Sequence, residues 1–224
     1  MLNPPREAIR SGARSFERAL FLVAFLALGY VAWMKLDRLA YQRIERARLA
    51  AATSAVTSTT TGTTGSIGVP AVRGRTVPAS GVIGRLSIPA ASIDAIVAEG
   101  VDDPTLNRAV GHIPSSALPG EPGNVALAGH RDTFFRGLAK LELGDPIQLV
   151  TTAGTYDYVV EDLRIVEPTE TEVLAPGSTS TLTLITCYPF RYIGTAPQRF
   201  IVRASEVRRP TGLRLAPNVD IDRL

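Results

Sequence analysis

From Gly81 onward the chain is cut into short β-branched runs, and that rhythm constrains the fold more than any other feature. "VIGRLSI", "AIVAEG", "NVALAG", "PIQLVTT", "TYDYVV", "TLTLIT" and "RFIVRA" are too short for ordinary helices, and Gly, Pro, Asn and Asp punctuate them. Only "TFFRGLAKL" and "DPTLNRAV" read as short helical turns, while "TTAGTYDY" reads as a hairpin turning near Ala153–Gly154. Many short strands at this spacing predict an antiparallel sandwich or barrel.

The first 80 residues follow different rules. Ala19 to Met34, "ALFLVAFLALGYVAWM", is sixteen residues without a charge, and Leu36 extends the apolar stretch past Lys35. A spanning helix needs about 17–25 residues, so this run is at the short end. Tyr30 and Trp33 suit a membrane interface. The run is long for the hydrophobic region of a signal peptide and no clear A-x-A site follows it, so it reads as an uncleaved signal anchor. Arg6, Arg10, Arg14 and Arg18 precede it; Lys35, Arg38, Arg43, Arg46 and Arg48 follow it. That near balance of cations does not fix an orientation. "KLDRLAYQRIERARLAA" reads as a continuing helix. Residues 51–80 are rich in Thr, Ser, Gly and Pro and read as a linker. A flexible coil of ~30 residues spans roughly 30 Å, which would tether a domain near a membrane without orienting it.

Charge and cysteine content exclude several functions. The formal net charge is +3, with +5 in residues 1–50 and −2 in the rest, so the larger part offers no nucleic-acid surface. One cysteine cannot form an intramolecular disulfide. One Cys and two His without CxxC or HExxH spacing make a poor zinc set, and no acidic cluster supports a calcium site. No cofactor is expected.

The single thiol, Cys187, closes the run "TLTLITCYPF". A strand that ends in one thiol is either presenting a nucleophile or burying a small hydrophobe. A nucleophilic cysteine needs thiolate, a proton donor for the leaving group and a partner for the oxyanion. The chain has two imidazoles. His130 follows a small-residue strand in "NVALAGHRDTFF", and His112 precedes a Pro-containing turn in "AVGHIPSSALPG", where it reads as ordering a loop. On these grounds alone either could face Cys187. Arg199, in "APQRFIVRA", opens a strand twelve residues after the thiol, a suitable return length.

Together these segments resemble the sortases, membrane-anchored cysteine transpeptidases. "TLTLITC" is similar to the sortase TLxTC pattern at Thr183, Leu184, Thr186 and Cys187. "LAGHRDTFFRGLAKLELGD" resembles the segment around the family's catalytic histidine, and Arg199 matches its arginine downstream of the cysteine. "GHIPSSALPGEPGN" and "CYPF" are similar to class D members.

The resemblance implies an eight-stranded sortase-type β-barrel with short helices, preceded by a transmembrane helix. It implies catalytic roles for Cys187, His130 and Arg199, with Thr186 supporting the oxyanion site. The implied division is a cytoplasmic tail over 1–18, a signal anchor over 19–36 and a juxtamembrane helix with linker over 37–80. A catalytic domain over 81–208 and a tail over 209–224 complete it. The implied enzyme is single-pass, with its N-terminus inside and its catalytic domain outside. It cleaves an LPxTG-like sorting signal on surface proteins and passes the acyl group to an amine, on a peptidoglycan cross-bridge or another protein. Two other readings compete. One is a membrane-tethered β-rich binding module with a structural Cys187. The other is an L,D-transpeptidase, whose S-H-G-C pattern the "LIT" before Cys187 does not match.

Overall fold

The structure is a computed structural model and describes residues 6–59, 81–177, 179–192 and 194–207. A long helix, α1 (Arg6–Thr59), precedes eight strands: β1 (Val82–Ile88), β2 (Ile93–Glu99), β3 (Val110–His112), β4 (Asn124–Ala128), β5 (Pro146–Val150), β6 (Thr155–Val166), β7 (Thr181–Tyr188) and β8 (Gln198–Glu206). A short helix α2 (Asp103–Arg108) and two 3₁₀ turns, Arg136–Lys140 and Thr171–Leu174, lie between strands. The strands close into a barrel in the order β1-β2-β3-β4-β7-β8-β6-β5. Closure removes the exposed edges that an open sheet of this size would present.

Each run anticipated from the sequence forms a strand or most of one. The three-residue β3 is additional, being too short to carry a period. The hairpin between β5 and β6 pairs Val150 with Thr155, and Thr151 N–H donates to Gly154 O at 2.8 Å. The antiparallel pairing expected from the sequence holds for six of the eight strand pairs, while β2–β3 and β4–β7 depart from it and pair in parallel. Those pairings place the ends of β4 and β7 side by side. Leu86, Leu127, Leu149, Leu182, Leu184 and Val202 are fully buried in the main core. Burying each such side chain contributes about 1.5–3 kcal/mol, and these side chains join β1, β4, β5, β7 and β8 into one interior.

Helix α1 differs from the expected tether in two ways. It continues through Thr59, nine residues into the Thr/Ser-rich stretch. It also docks on the barrel. Gln42, 6% exposed, donates from Nε2 to Arg108 O at 2.7 Å and accepts Ile96 N–H at 2.9 Å. Asp37 pairs with Arg108 at 2.7 Å, Arg46 pairs with Asp94 at 3.5 Å, and Leu49 is buried. Residues 38, 42, 45, 46 and 49 recur at three- and four-residue intervals, so they share one helix face. Further toward the N-terminus the helix is long and apolar enough to cross a membrane, and its most apolar window is 0% buried. The expectations for residues 60–80 and 209–224 lie outside the described residues.

Candidate active site

Three strand ends meet at one end of the barrel. β7 pairs with β8 so that Cys187 opposes Arg199. β4 runs parallel to β7 with Ala128 opposite Ile185, and Gly129 N–H continues the ladder to Ile185 O at 3.1 Å. His130 is the next residue along. The structure thus brings Cys187, His130 and Arg199 to a single end of the barrel. Cys187 and His130 are both partly exposed.

Strand parity decides which side each residue serves. Cys187 shares a face with Ile185, and Arg199 shares one with Ile201. Ile201 is buried with Val166 and Val173 in a small cluster outside the main core, and Leu174 and Ile185 pack on it. An apolar patch therefore lies on the thiol's face of the sheet, beneath the Thr171–Leu174 turn. Thr186 has the opposite parity and is 1% exposed. Its hydroxyl donates to Gly129 O at 2.8 Å. Thr186, which the sequence reading gave as oxyanion support, thereby braces the His130 segment. Arg199 Nη1 donates to Ala196 O at 3.3 Å and Gln198 O at 3.0 Å, which accounts for part of its five-donor fork.

The two histidines occupy opposite environments. His112 is fully buried on β3. Its Nδ1 lies 2.6 Å from Glu99 Oε2, and its Nε2 lies 2.9 Å from Ala117 O and 3.0 Å from Ser116 Oγ. Both ring nitrogens are thus taken up by the fold, as the loop-ordering reading expected. In the turn after His130, its carbonyl accepts Phe135 N–H at 3.1 Å, and the Phe135 ring packs against Gly129. A Cβ at position 129 would come within 2.8 Å of that ring, so only glycine fits between the strand end and the aromatic.

Two supporting residues escaped the sequence reading. Arg131 donates to Pro189 O at 3.1 Å, Tyr192 O at 2.8 Å and Gly194 O at 3.1 Å, tying the His130 segment to the loop after Cys187. Its place beside His130 was the available signal. Asn124 is 3% exposed. It accepts Thr183 Oγ1–H at 2.7 Å and Thr181 Oγ1–H at 3.3 Å, and donates to Val173 O at 3.0 Å. It thereby fastens the Thr171–Leu174 turn to β4 and β7. Tyr188, Phe190 and Phe200 close the barrel end in mutual ring contact at 5.2–6.4 Å. No group of three or more His, Cys, Asp or Glu suited to a metal ion occurs among the described residues.

The family model for the sortase domain matches residues 86–207, more than half of the chain. The chain belongs to the sortase family. Sortase D of Bacillus subtilis is 38% identical over 125 residues, 55% of this chain and 63% of that protein. Sortase A of Bacillus anthracis is 34% identical over 110 residues, 47% of this chain and 52% of that protein. The chain thus matches about half to 63% of the length of these curated relatives. Among solved structures, a sortase D5 transpeptidase of Clostridium perfringens is similar with a TM-score of 0.52 and 30% identity. That match covers 57% of this chain and 79% of the other. Sortase C-1 of Actinomyces oris matches with a TM-score of 0.55 and 30% identity, covering 59% and 77%. Within the family this sortase is of the class D-like type, and its closed eight-stranded barrel is the family's fold.

Proposed function

We propose that this sortase is a cysteine transpeptidase that cleaves an LPxTG-like sorting signal and transfers the acyl part to an amine. The reading rests on the β7–β8 register, which sets the chain's one thiol against Arg199 while β4 delivers His130 to the same end. Cys187 Sγ, as thiolate, attacks the threonine carbonyl of the signal. The new S–C bond forms, the C–N bond breaks, and imidazolium His130 gives its proton to the departing amine. An acceptor amine then attacks the thioester. His130 takes the acceptor's proton as the new amide forms, and the thiolate leaves. Arg199 supports the oxyanion or orients the substrate backbone through parallel N–H donors. The partly exposed Ile185 and Leu174, which rest on the buried Ile201 and Val173, receive the apolar residues on the acyl side of the scissile bond.

In this reading α1 is a single span with its N-terminus inside, and the barrel acts outside on surface proteins. The acceptor is a peptidoglycan cross-bridge or another protein's amine. A tethered binding module explains the barrel but gives no role to a thiol, a histidine and an arginine converging at one end of it.

The test is a peptide library of LPxTG-like signals offered to the full chain in detergent with a small amine. Cleavage between threonine and glycine, with amine-dependent transfer, is the expected result. Failure to process any member of the library overturns the assignment.

A further inference from the structure

Helix α1 reaches the active-site end of the barrel. Arg38, one helical turn beyond the end of the charge-free run at Met34, donates from Nε to Asn107 O at 2.7 Å. Its guanidinium carbon lies 5.4 Å from the centre of the Phe134 ring. At 1.5 Å per residue, that contact is ~6 Å along the helix from Met34. Phe134 belongs to the turn that His130 begins, and Phe135, its neighbour, is fully buried against Gly129. Three residues, Arg131 to Thr133, separate the stacked ring from the proposed proton shuttle.

We infer that Arg38 is a positioning residue for the transfer reaction. By capping Phe134 it holds the His130 turn in place, so the membrane helix forms part of the site's framework as well as its anchor. The inference rests on the transpeptidase reading. Three features separate Arg38 from an incidental surface contact. Its guanidinium is bound at two points, a carbonyl and a ring face. Gln42, one turn further, is buried with both ends of its amide bonded to the barrel, which fixes the helix register under Arg38. Asn107 and Arg108, which accept those bonds, are held by α2, whose first turn is capped by Asp102 accepting Thr105 N–H at 3.0 Å. A cation over an aromatic face contributes modestly, yet a small displacement of a proton-transfer group is costly to rate.

The experiment uses the full chain in lipid nanodiscs with a soluble LPxTG-like peptide and a small amine. Arg38→Ala, Phe134→Leu and the double variant are compared with wild type, with Asp37→Asn as a control that removes only the Arg108 ion pair. Arg38→Ala should lower kcat about three- to ten-fold with KM within two-fold, and displace the limb of the kcat–pH profile governed by the imidazole. Phe134→Leu should behave the same way, the double variant should add little to either, and Arg38→Lys should recover part of the loss. Asp37→Asn should keep wild-type kcat.

Wild-type kcat and pH profile in Arg38→Ala would overturn the inference, as would an equal loss in Asp37→Asn. If Arg38→Ala fails to fold, Phe134→Leu decides by the same readouts. Wild type that forms no thioester with the peptide refutes the transpeptidase reading itself, which keeps the two failures distinct.

Discussion

Cys187 and Arg199 are Cα partners across the antiparallel β7–β8 pair, so both side chains project from the same face of the barrel. Nine residues join the two strands, yet the pairing register makes Cys187 and Arg199 direct cross-strand neighbours. That relationship sets what each substitution at position 199 should do. Arg199→Lys should lose most activity, on the order of 10²-fold in kcat/KM, because a point charge cannot reproduce parallel N–H donation. Lysine within a few-fold of wild type would show that only the charge matters. Arg199→Ala of equal activity to wild type would remove the arginine from the site.

His130→Ala should be severely impaired, with a loss of about 10²–10⁴ in kcat. His112→Ala should act on stability. It leaves the Glu99 carboxylate and Ser116 without their buried partner, a cost of about 1–3 kcal/mol. Paired kinetics and thermal melts check this. A kinetic defect confined to His112→Ala would reverse the assignment.

Asn124→Ala should lower the melting temperature and raise KM. It strands two threonine hydroxyls and the Val173 carbonyl, which costs about 1–3 kcal/mol, and it loosens the turn above the apolar patch. An unchanged KM with intact stability would separate that turn from substrate binding.

A chain beginning at Gly81 should fold and stay soluble, because the main core draws on residues 83–204 alone. It forfeits the Gln42, Asp37 and Arg46 contacts, so its Tm should fall by about 2–8 °C relative to a chain beginning near Lys35. Turnover should persist at reduced kcat. Aggregation of the shorter chain would mean that α1 belongs to the folding core.

The β class was legible because the strands are short, β-branched and separated by turn residues; that pattern left sandwich and barrel open, and the eight-stranded barrel and the preference for His130 over His112 came from the resemblance to the sortases. What the sequence hid was non-local. The parallel pairing of β4 with β7 depends on register between segments more than fifty residues apart, and nothing local to "NVALA" encodes it. The docking of α1 was masked by charge. Arg38, Arg46 and Asp37 look solvated in one dimension, and only the fold supplies Asn107, Asp94 and Arg108 as their partners. Asn124 was read as part of a strand, although its amide joins three elements.

The most direct test of the central claim is intact-mass spectrometry of the full chain mixed with an LPxTG-like peptide, before and after adding an amine. The account predicts a covalent adduct on Cys187 carrying the peptide through its threonine. The adduct should disappear when the amine is added, and a folded Cys187→Ala variant should form none. A chain that never acquires this adduct, and whose Cys187 reacts with iodoacetamide only on unfolding, would contradict it and leave the thiol a structural residue.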